Sequence, residues 1–275
     1  MEPRAILLRN NSINESTFTA QLLGSGVNLI GSANYGRKGD YFQAFTNLAT
    51  GLERIGKLCV LIDFAIDHQG QFPTEKEFEQ LKLRHDLIKI TELCKGIKQK
   101  RNYTFRFRNE IDEFYLQESL AVLSGFAKGD RYANIDKLIG STNSKDPITE
   151  WHKRVDLLIY NDLVDAETKA TIEHNARIVD RMMSQYTSVV HQADDGCVVN
   201  DVFSASLQTG VYEVIFPFRR LMVLQIVRYY VELLIELEHE GRTFARHLAH
   251  FGEIFGGFYN NNEFLASDQD WTFES

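Results

Sequence analysis

The sequence predicts an all-α fold, a multi-helix bundle built on a long antiparallel helical hairpin with a second helical half. There are only four prolines in 275 residues, so few positions interrupt a helix. Residues 41–66 carry apolar side chains at alternating spacings of four and three, which places them on one face of a helix: Tyr41, Phe45, Leu48, Leu52, Ile55, Cys59, Ile62 and Ile66. A second stripe of this kind follows: Leu83, Leu87, Ile90, Cys94 and Ile97. Two helices with facing apolar stripes form a hairpin.

The composition is that of an ordinary globular protein, with 44% hydrophobic and 25% charged residues. A formal net charge of −8 argues against broad nonspecific binding to nucleic acid, because phosphate affinity depends on cations. The three cysteines lack a C-x-x-C pattern, which favours a reducing compartment and no zinc site. The first residues do not form a secretory signal, and no uncharged stretch is long enough to span a bilayer. We therefore expect a cytoplasmic protein with no membrane association, metal or cofactor.

The first half begins with residues 1–39, where many Asn, Ser and Gly residues predict an irregular segment. A helical bundle is predicted over residues 40–145, and its hairpin contains Gly51 and Gly56 beside the apolar seam, where another backbone can come close. Glu53 and Lys57 form a favourable pair on the solvent face. The second helix of the hairpin is predicted to begin near Pro73, and a third helix covers residues 110–126.

The second half covers residues 146–262, after a Ser-Thr-Asn-Ser run that favours a boundary. Helices are predicted near residues 148–161 and 166–191, while residues 198–216 have a composition that is partly typical of strands. The most apolar helix is predicted to begin at Phe216 and Pro217 and to end at Gly241, in the centre of this half. A last helix over 242–259 and a flexible acidic tail over 263–275 complete the prediction.

A basic segment interleaved with aromatic residues lies at 95–110. The residues that could bind nucleic acid or nucleotide are Lys98, Arg101, Arg106 and Arg108. They alternate with Tyr103, Phe105 and Phe107. Cations neutralise phosphate and aromatic rings stack on bases, so this pattern is compatible with RNA binding. The alternative is a solvated helix end whose cations suit the helix dipole, followed by a segment that turns its aromatic side chains inward.

Three local motifs of the first half resemble a HEPN domain, the all-α bundle of prokaryotic toxins and defence proteins. They are Gly51-Leu52-Glu53-Arg54-Ile55-Gly56-Lys57, His85-Asp86-Leu87 and Arg131-Tyr132, within residues 40–140. The resemblance implies an RNA- or nucleotide-binding protein of prokaryotic stress or phage defence. It also implies a polar groove that includes Arg84, His85, Asp86, Arg131 and Tyr132. The alternative for His85 is a histidine at the edge of the core, bonded to backbone or to a carboxylate.

Ribonucleases of that family carry Arg-x4-6-His, and this motif is not found in residues 40–140. The literal match is Arg242 to His247 in the second half. By resemblance, Arg242 would stabilise phosphate and His247 would transfer a proton during attack by a ribose 2′-hydroxyl. A separation of five residues leaves the side chains about 140° apart on a continuous helix, so they would have to meet through a break or across a dimer.

Three functions therefore remain open from the sequence. The first is RNA or nucleotide binding, directly or through a protein partner. The second is a metal-independent endoribonuclease that uses Arg242 and His247. The third is a non-catalytic adaptor that binds a protein partner. In each case we expect a homodimer, because the exposed face of a two-helix seam often pairs with itself.

Overall fold

The computed structural model is an α-helical bundle organised around two long helices, and it describes residues 3–107, 111, 113–141, 145–243, 248–267 and 269–273. Its helices are α1 (Pro3–Ile30), α2 (Lys38–Asp67), α3 (Glu75–Gln80), α4 (Leu87–Lys100), α5 (Phe114–Lys128), α6 (Ala133–Leu138), α7 (Pro147–Trp151), α8 (Ala166–Met183), α9 (Val202–Gly241), α10 (Phe251–Ile254) and α11 (Asn262–Ala266). Two π-helical turns, His152–Asp156 and Ile159–Leu163, follow α7. Strands β1 (His191–Gln192) and β2 (Val198–Val199) pair antiparallel, with His191 opposite Val199. The all-α prediction is confirmed.

Helix α2 lies at the centre of the first half, and every residue of its predicted apolar seam is buried. The two glycines beside the seam admit neighbouring helices. A Cβ on Gly51 would lie 2.7 Å from the Leu23 side chain of α1. A Cβ on Gly56 would lie 2.3 Å from the Ile90 side chain of α4. The predicted hairpin is therefore present, but its first helix packs on α1 as well as on α4.

The second half of the hairpin is two helices, where the sequence predicted one. Thr74 caps α3 in a reciprocal capping box with Glu77. Lys82 (φ 50°) and Arg84 (φ 41°) then adopt left-handed backbone conformations, which end the helical path. Asp86 begins α4 by accepting a hydrogen bond from the backbone N–H of Lys89 at 3.2 Å. The apolar stripe of this region is buried as predicted.

The prediction of an irregular segment over residues 1–39 is wrong, because α1 occupies most of it and packs along α2. Its glycines are close-packing positions rather than loop residues. A Cβ on Gly24 would lie 2.0 Å from the carbonyl oxygen of Trp271, and one on Gly26 would lie 2.6 Å from Leu48. Buried side chains such as Leu23 and Val27 make α1 part of the core.

Helix α9 is the second organising element, and it begins earlier than predicted. Asp201 caps it, and the strand-like residues 202–216 are helical, with Pro217 inside the helix. The residues from Met222 to Leu237 are mostly buried, which confirms the central position of this helix. The two predicted halves share one hydrophobic core, although the predicted boundary residues 142–144 lie outside the described ranges. Helix α5 begins four residues later than predicted. Helix α8 begins at the predicted residue but ends eight residues earlier than predicted.

The end of the chain packs on the core in its described part. The single helix predicted over 242–259 is replaced by α10 and a 3-10 turn, with residues 244–247 outside the described ranges. The tail from residue 263 was predicted to be flexible, yet Leu265 and Trp271 are buried, and the Trp271 ring stacks on Phe258 with centroids 5.3 Å apart. Within the described residues, every helix is too short or too polar to cross a membrane.

Candidate functional site

A cavity of about 680 Å³ lies where the beginning of α2 meets α6, α7 and the β1–β2 hairpin. We call it the α2–α6 cavity. Helix α2 contributes Lys38 and Phe42, and the segment around α6 contributes Arg131 and Lys137. The hairpin contributes residues 192–196, including the buried Asp194. Its volume is in the range of small-molecule sites.

The cations of the α2–α6 cavity fall into two classes. Lys137 and Lys145 pair with acidic neighbours, namely Asp146 at 3.2 Å and Glu150 at 3.8 Å. Arg131 has no carboxylate within ion-pair distance among the described residues, and its guanidinium lies 5.1 Å from the ring centroid of the adjacent tyrosine. The exposed lysine pairs contribute little to stability, so their ammonium groups can turn toward an anionic ligand.

Two further side chains complete the lining. The Phe42 ring is 49% exposed and meets the edge of Phe126 at 5.3 Å, which fixes its orientation while leaving a face open to solvent. Lys38 directs its ammonium group to Gln192 Oε1 and to the carbonyl oxygen of Ala193, both at 3.5 Å. An exposed aromatic ring in a cavity that also contains cations can bind an aromatic ligand that carries a negative charge.

A buried polar network lies beneath this cavity. Arg219, which has no solvent exposure, donates from Nε to Asp156 Oδ1 at 2.6 Å and from a terminal nitrogen to Asp156 Oδ2. It also donates to the Tyr41 hydroxyl at 2.8 Å. Tyr41 and Tyr212 in turn donate to Asp194 Oδ2, at 2.8 Å and 2.6 Å. The network therefore connects α2, the first π-helical turn, α9 and the cavity wall.

Burial controls the protonation of this network. Desolvation raises the pKa of Asp194, although the hydroxyls of Tyr212 and Tyr41 oppose that effect by hydrogen bonding to the carboxylate. Desolvation also raises the pKa of Tyr41 well above its usual range, which the neighbouring Arg219 only partly offsets. Both tyrosines therefore remain protonated at neutral pH and act as donors.

Two buried atoms here lack a hydrogen-bond partner. They are Oδ1 of Asp194, which belongs to the network, and Nδ1 of the nearby His152. Ligand atoms of His152, Asp156 and Asp194 lie within 4.8 Å of one another. His152 and Asp156 belong to one π-helical turn, a geometry that often occurs at functional sites. An unpaired buried polar group costs about 1–3 kcal/mol, so the two atoms indicate a place for a further ligand.

The predicted polar groove is not formed by its three neighbouring residues, which are Arg84, His85 and Asp86. His85 Nδ1 lies 2.9 Å from Glu53 Oε2, so His85 has the carboxylate partner of the alternative, but its side chain is 60% exposed and not at the edge of the core. Asp86 pairs with Lys128 at 2.7 Å and caps α4. Arg84 lines a different cavity from Arg131.

The basic segment is largely neutralised by the protein itself. Arg101, whose side chain is 7% exposed, pairs with Asp63, Asp67 and Glu240. Lys98 lies 4.1 Å from the centroid of the Phe105 ring.

The aromatic side chains of the same segment contact protein. Phe105 meets the edge of the Tyr229 ring at 5.4 Å, and Phe107 meets Tyr259 at 5.3 Å. Arg106 lies 5.8 Å from the centroid of the Tyr259 ring, and Arg108 is outside the described residues. The alternative in which the aromatic side chains turn inward therefore describes this segment.

The described candidates do not converge on one concave surface, as the sequence analysis expected. They are spread along α2, where the α2–α6 cavity lies near Phe42, His85 contacts Glu53, and Arg101 contacts Asp63. A separation of ten residues corresponds to about 15 Å along a helix. Among the described candidates, Arg131 lines the cavity, and its guanidinium lies near the ring of the neighbouring Tyr132.

The proposed ribonuclease pair is described only in part. Arg242 is held by an ion pair with Glu238 and lies 2.6 Å from His250 Nδ1. His247 lies outside the described residues. The catalytic role of Arg242 and His247 stays a prediction.

Sequence reasoning missed the network residues Tyr41, Asp156, Asp194, Tyr212 and Arg219. Arg219 carried a usable signal, because an arginine within a long apolar helix is rarely buried without a partner. Its acidic partner lies 63 residues away in sequence, and no local pattern indicates that pairing.

The chain was also compared with known proteins. Neither a protein-family model, nor a curated protein, nor a solved structure matches it.

Proposed function

We propose that the protein binds a nucleotide in the α2–α6 cavity. The observation that carries this proposal is that Arg131, a cation without a carboxylate partner among the described residues, lines the same cavity as the half-exposed Phe42. The phenylalanine would stack on the base, and Arg131 would pair with phosphate. Lys137 and Lys145 would move from their exposed carboxylate partners to add to the phosphate contact.

A mononucleotide suits the cavity better than a long RNA. Five acidic residues also line it: Asp130, Asp146, Glu150, Asp194 and Asp195. These carboxylates repel an extended polyanion, as does the net charge of −8. A ligand with one or two phosphates can contact the cations and brings less negative charge near these carboxylates than a long RNA does. RNA binding through residues 95–108 has less support, because most of the described cations and rings there already contact protein.

The test is calorimetric titration with ribonucleoside mono- and diphosphates and with a short single-stranded RNA. We expect a nucleotide to bind, and Arg131→Gln to raise its Kd at least tenfold, equivalent to about 1.4 kcal/mol. The matched control is Arg84→Gln, which changes an exposed arginine at another cavity and should leave the Kd unchanged. Absence of nucleotide binding at millimolar concentration, or RNA binding that Arg131→Gln leaves intact, would contradict the proposal.

The HEPN resemblance adds a biological setting to the proposal. In that family, binding of this kind would belong to prokaryotic stress or phage defence in the cytoplasm. This setting rests on the three motifs alone, and the metal-independent ribonuclease remains its catalytic variant through Arg242 and His247.

A second candidate function, self-association as an adaptor, is favoured by the exposed end of α8. Ile178 and Met182 lie four residues apart near the end of the helix and are exposed, and Tyr186 and Val190 are exposed in the segment that follows it. The seam of α2 is covered by other helices, so the homodimer predicted from it would need this second surface. One helix face can pair with its own copy around a two-fold axis.

We expect a dimer in light scattering that Met182→Glu dissociates. Leu138→Glu, at a residue that is 86% exposed on α6, is the matched control. A monomer at every concentration would refute self-association.

A further inference from the structure

We infer that His152, Asp156 and Asp194 form a binding site for a divalent transition-metal ion at the inner wall of the α2–α6 cavity. The inference is independent of nucleotide binding, because it rests on a different group of side chains. It also differs from the expectation from the sequence, which was that the protein holds no metal.

The first argument is the geometry of the three groups. Their ligand atoms lie within 4.8 Å of one another, and His152 Nδ1 is 3.8 Å from Asp156 Oδ2. A tetrahedral ion with bonds of about 2.1 Å requires ligand atoms about 3.4 Å apart, so a small contraction around the ion completes the site. The intermediate exposure of the His152 side chain, 21%, leaves its ring room to make that adjustment.

The second argument is that the site has unused ligand atoms. Asp194 is 2% exposed, and the hydroxyls of Tyr41 and Tyr212 both donate to its Oδ2, which leaves Oδ1 without a partner. His152 Nδ1 is also buried and unpaired. A buried carboxylate oxygen and a buried imidazole nitrogen without hydrogen-bond partners are groups that such an ion binds directly.

The third argument is charge. Asp156 and Asp194 contribute two carboxylates, and Arg219 supplies a single positive charge to the network. Arg219 occupies one lone pair on each Asp156 oxygen, and a carboxylate oxygen has another lone pair for a metal ion. The three groups together carry one net negative charge, which favours the binding of a cation at this position.

The ligand set indicates the class of ion. One imidazole and two carboxylates suit zinc and neighbouring first-row metals, whereas calcium and magnesium sites are built from oxygen ligands. Asp194 also lines the α2–α6 cavity, so the fourth position of the ion would face the space from which water or a ligand enters.

The experiment uses the full chain after removal of metals by a chelator. Co²⁺ is titrated by visible absorbance and Zn²⁺ by competition, both without nucleotide. We expect one ion per chain, a rise in Tm on addition of metal, and a Kd at least tenfold higher for His152→Gln and for Asp194→Asn.

His174→Gln is the matched control, because this histidine is exposed on α8 and should not change the Kd. If Asp194→Asn fails to fold, His152→Gln alone decides, since its Nδ1 makes no hydrogen bond that the fold requires. Two results would overturn the inference: no Co²⁺ or Zn²⁺ bound by the unchanged protein, or an affinity that His152→Gln leaves unaltered.

Discussion

Substitution of Asp156 by asparagine should destabilise the protein strongly, because Asp156 forms an ion pair with the fully buried Arg219. The Asp156→Asn side chain has nearly the same volume, so the substitution removes the charge and little else. Arg219 would remain fully buried, with only neutral partners in the carbonyl oxygen of Ala33 and the hydroxyl of Tyr41. Removal of one partner of a buried ion pair costs about 3–5 kcal/mol. The entire stability of a domain is about 5–15 kcal/mol, so this loss would be readily measured.

The assay is urea unfolding followed by circular dichroism, in chelator-treated buffer so that metal binding does not contribute. The midpoint should fall at an unchanged slope, because the surface exposed on unfolding stays the same. The matched control is Glu173→Gln, which removes one charge of the exposed Arg177–Glu173 pair on α8. An exposed pair of this kind contributes about 0.3–0.5 kcal/mol.

A double substitution separates the cost of an unpaired charge from the value of the ion pair itself. Asp156→Leu with Arg219→Met removes both charges, and replacement of a buried pair by apolar residues is often neutral or stabilising. We expect the double variant to be more stable than Asp156→Asn. A loss below about 1 kcal/mol for Asp156→Asn would refute the reasoning, because Arg219 would then have found water or another partner.

Four other substitutions test the packing and the local charges. Gly56→Ala should destabilise the protein by about 1–3 kcal/mol in urea unfolding, because the new Cβ would overlap a side chain of α4. Gly96→Ala, at an open helical position, should stabilise it by about 0.5–1 kcal/mol. Trp271→Ala should lower stability by about 3–5 kcal/mol, which a tail without contacts to the core would not do. Burial tends to raise the pKa of Asp86, but hydrogen bonds, above all that from Lys128, lower it overall. The folded state then gains stability above the unfolded pKa of about 4, so acid titration should remove that gain as the pH falls, and Asp86→Asn should show a smaller loss.

The elements that the sequence predicted correctly are those with a strong helical period. The seam of α2 and the stripe of α4 repeat over several turns, so their burial follows from spacing alone. The N-terminal helix was missed because glycine, serine and asparagine have low helix propensity, and tertiary packing against α2 and the chain end overrides that propensity. Residues 202–216 were ambiguous for the same reason: β-branched and aromatic residues favour strands when considered locally, but here they extend the buried α9.

The candidate site was less predictable than the fold, because its parts come from distant positions. Basic residues that are close in sequence contact different partners. Lys98 lies over the Phe105 ring, Arg101 pairs with Asp63 of α2, and Arg106 lies over the Tyr259 ring. Arg131 lines a cavity, whereas His85, which the family resemblance placed in the same groove, contacts Glu53. The acidic residues that share its cavity, Asp194 and Asp195, were outside every motif.

The polar network connects the cavity wall to the core, so we expect a change in charge at the wall to affect the buried ion pair. Asp194 belongs both to the cavity wall and to a hydrogen-bonded chain that continues through Tyr41 to Arg219 in the middle of α9. A ligand that changes the charge at Asp194 therefore changes the environment of a buried ion pair about which the long helices pack. Because low dielectric strengthens such interactions, even a small change in charge at the wall has an energetic effect inside the bundle. We therefore expect substitutions of the network residues to affect both the stability of the fold and the proposed ligand binding at the cavity wall.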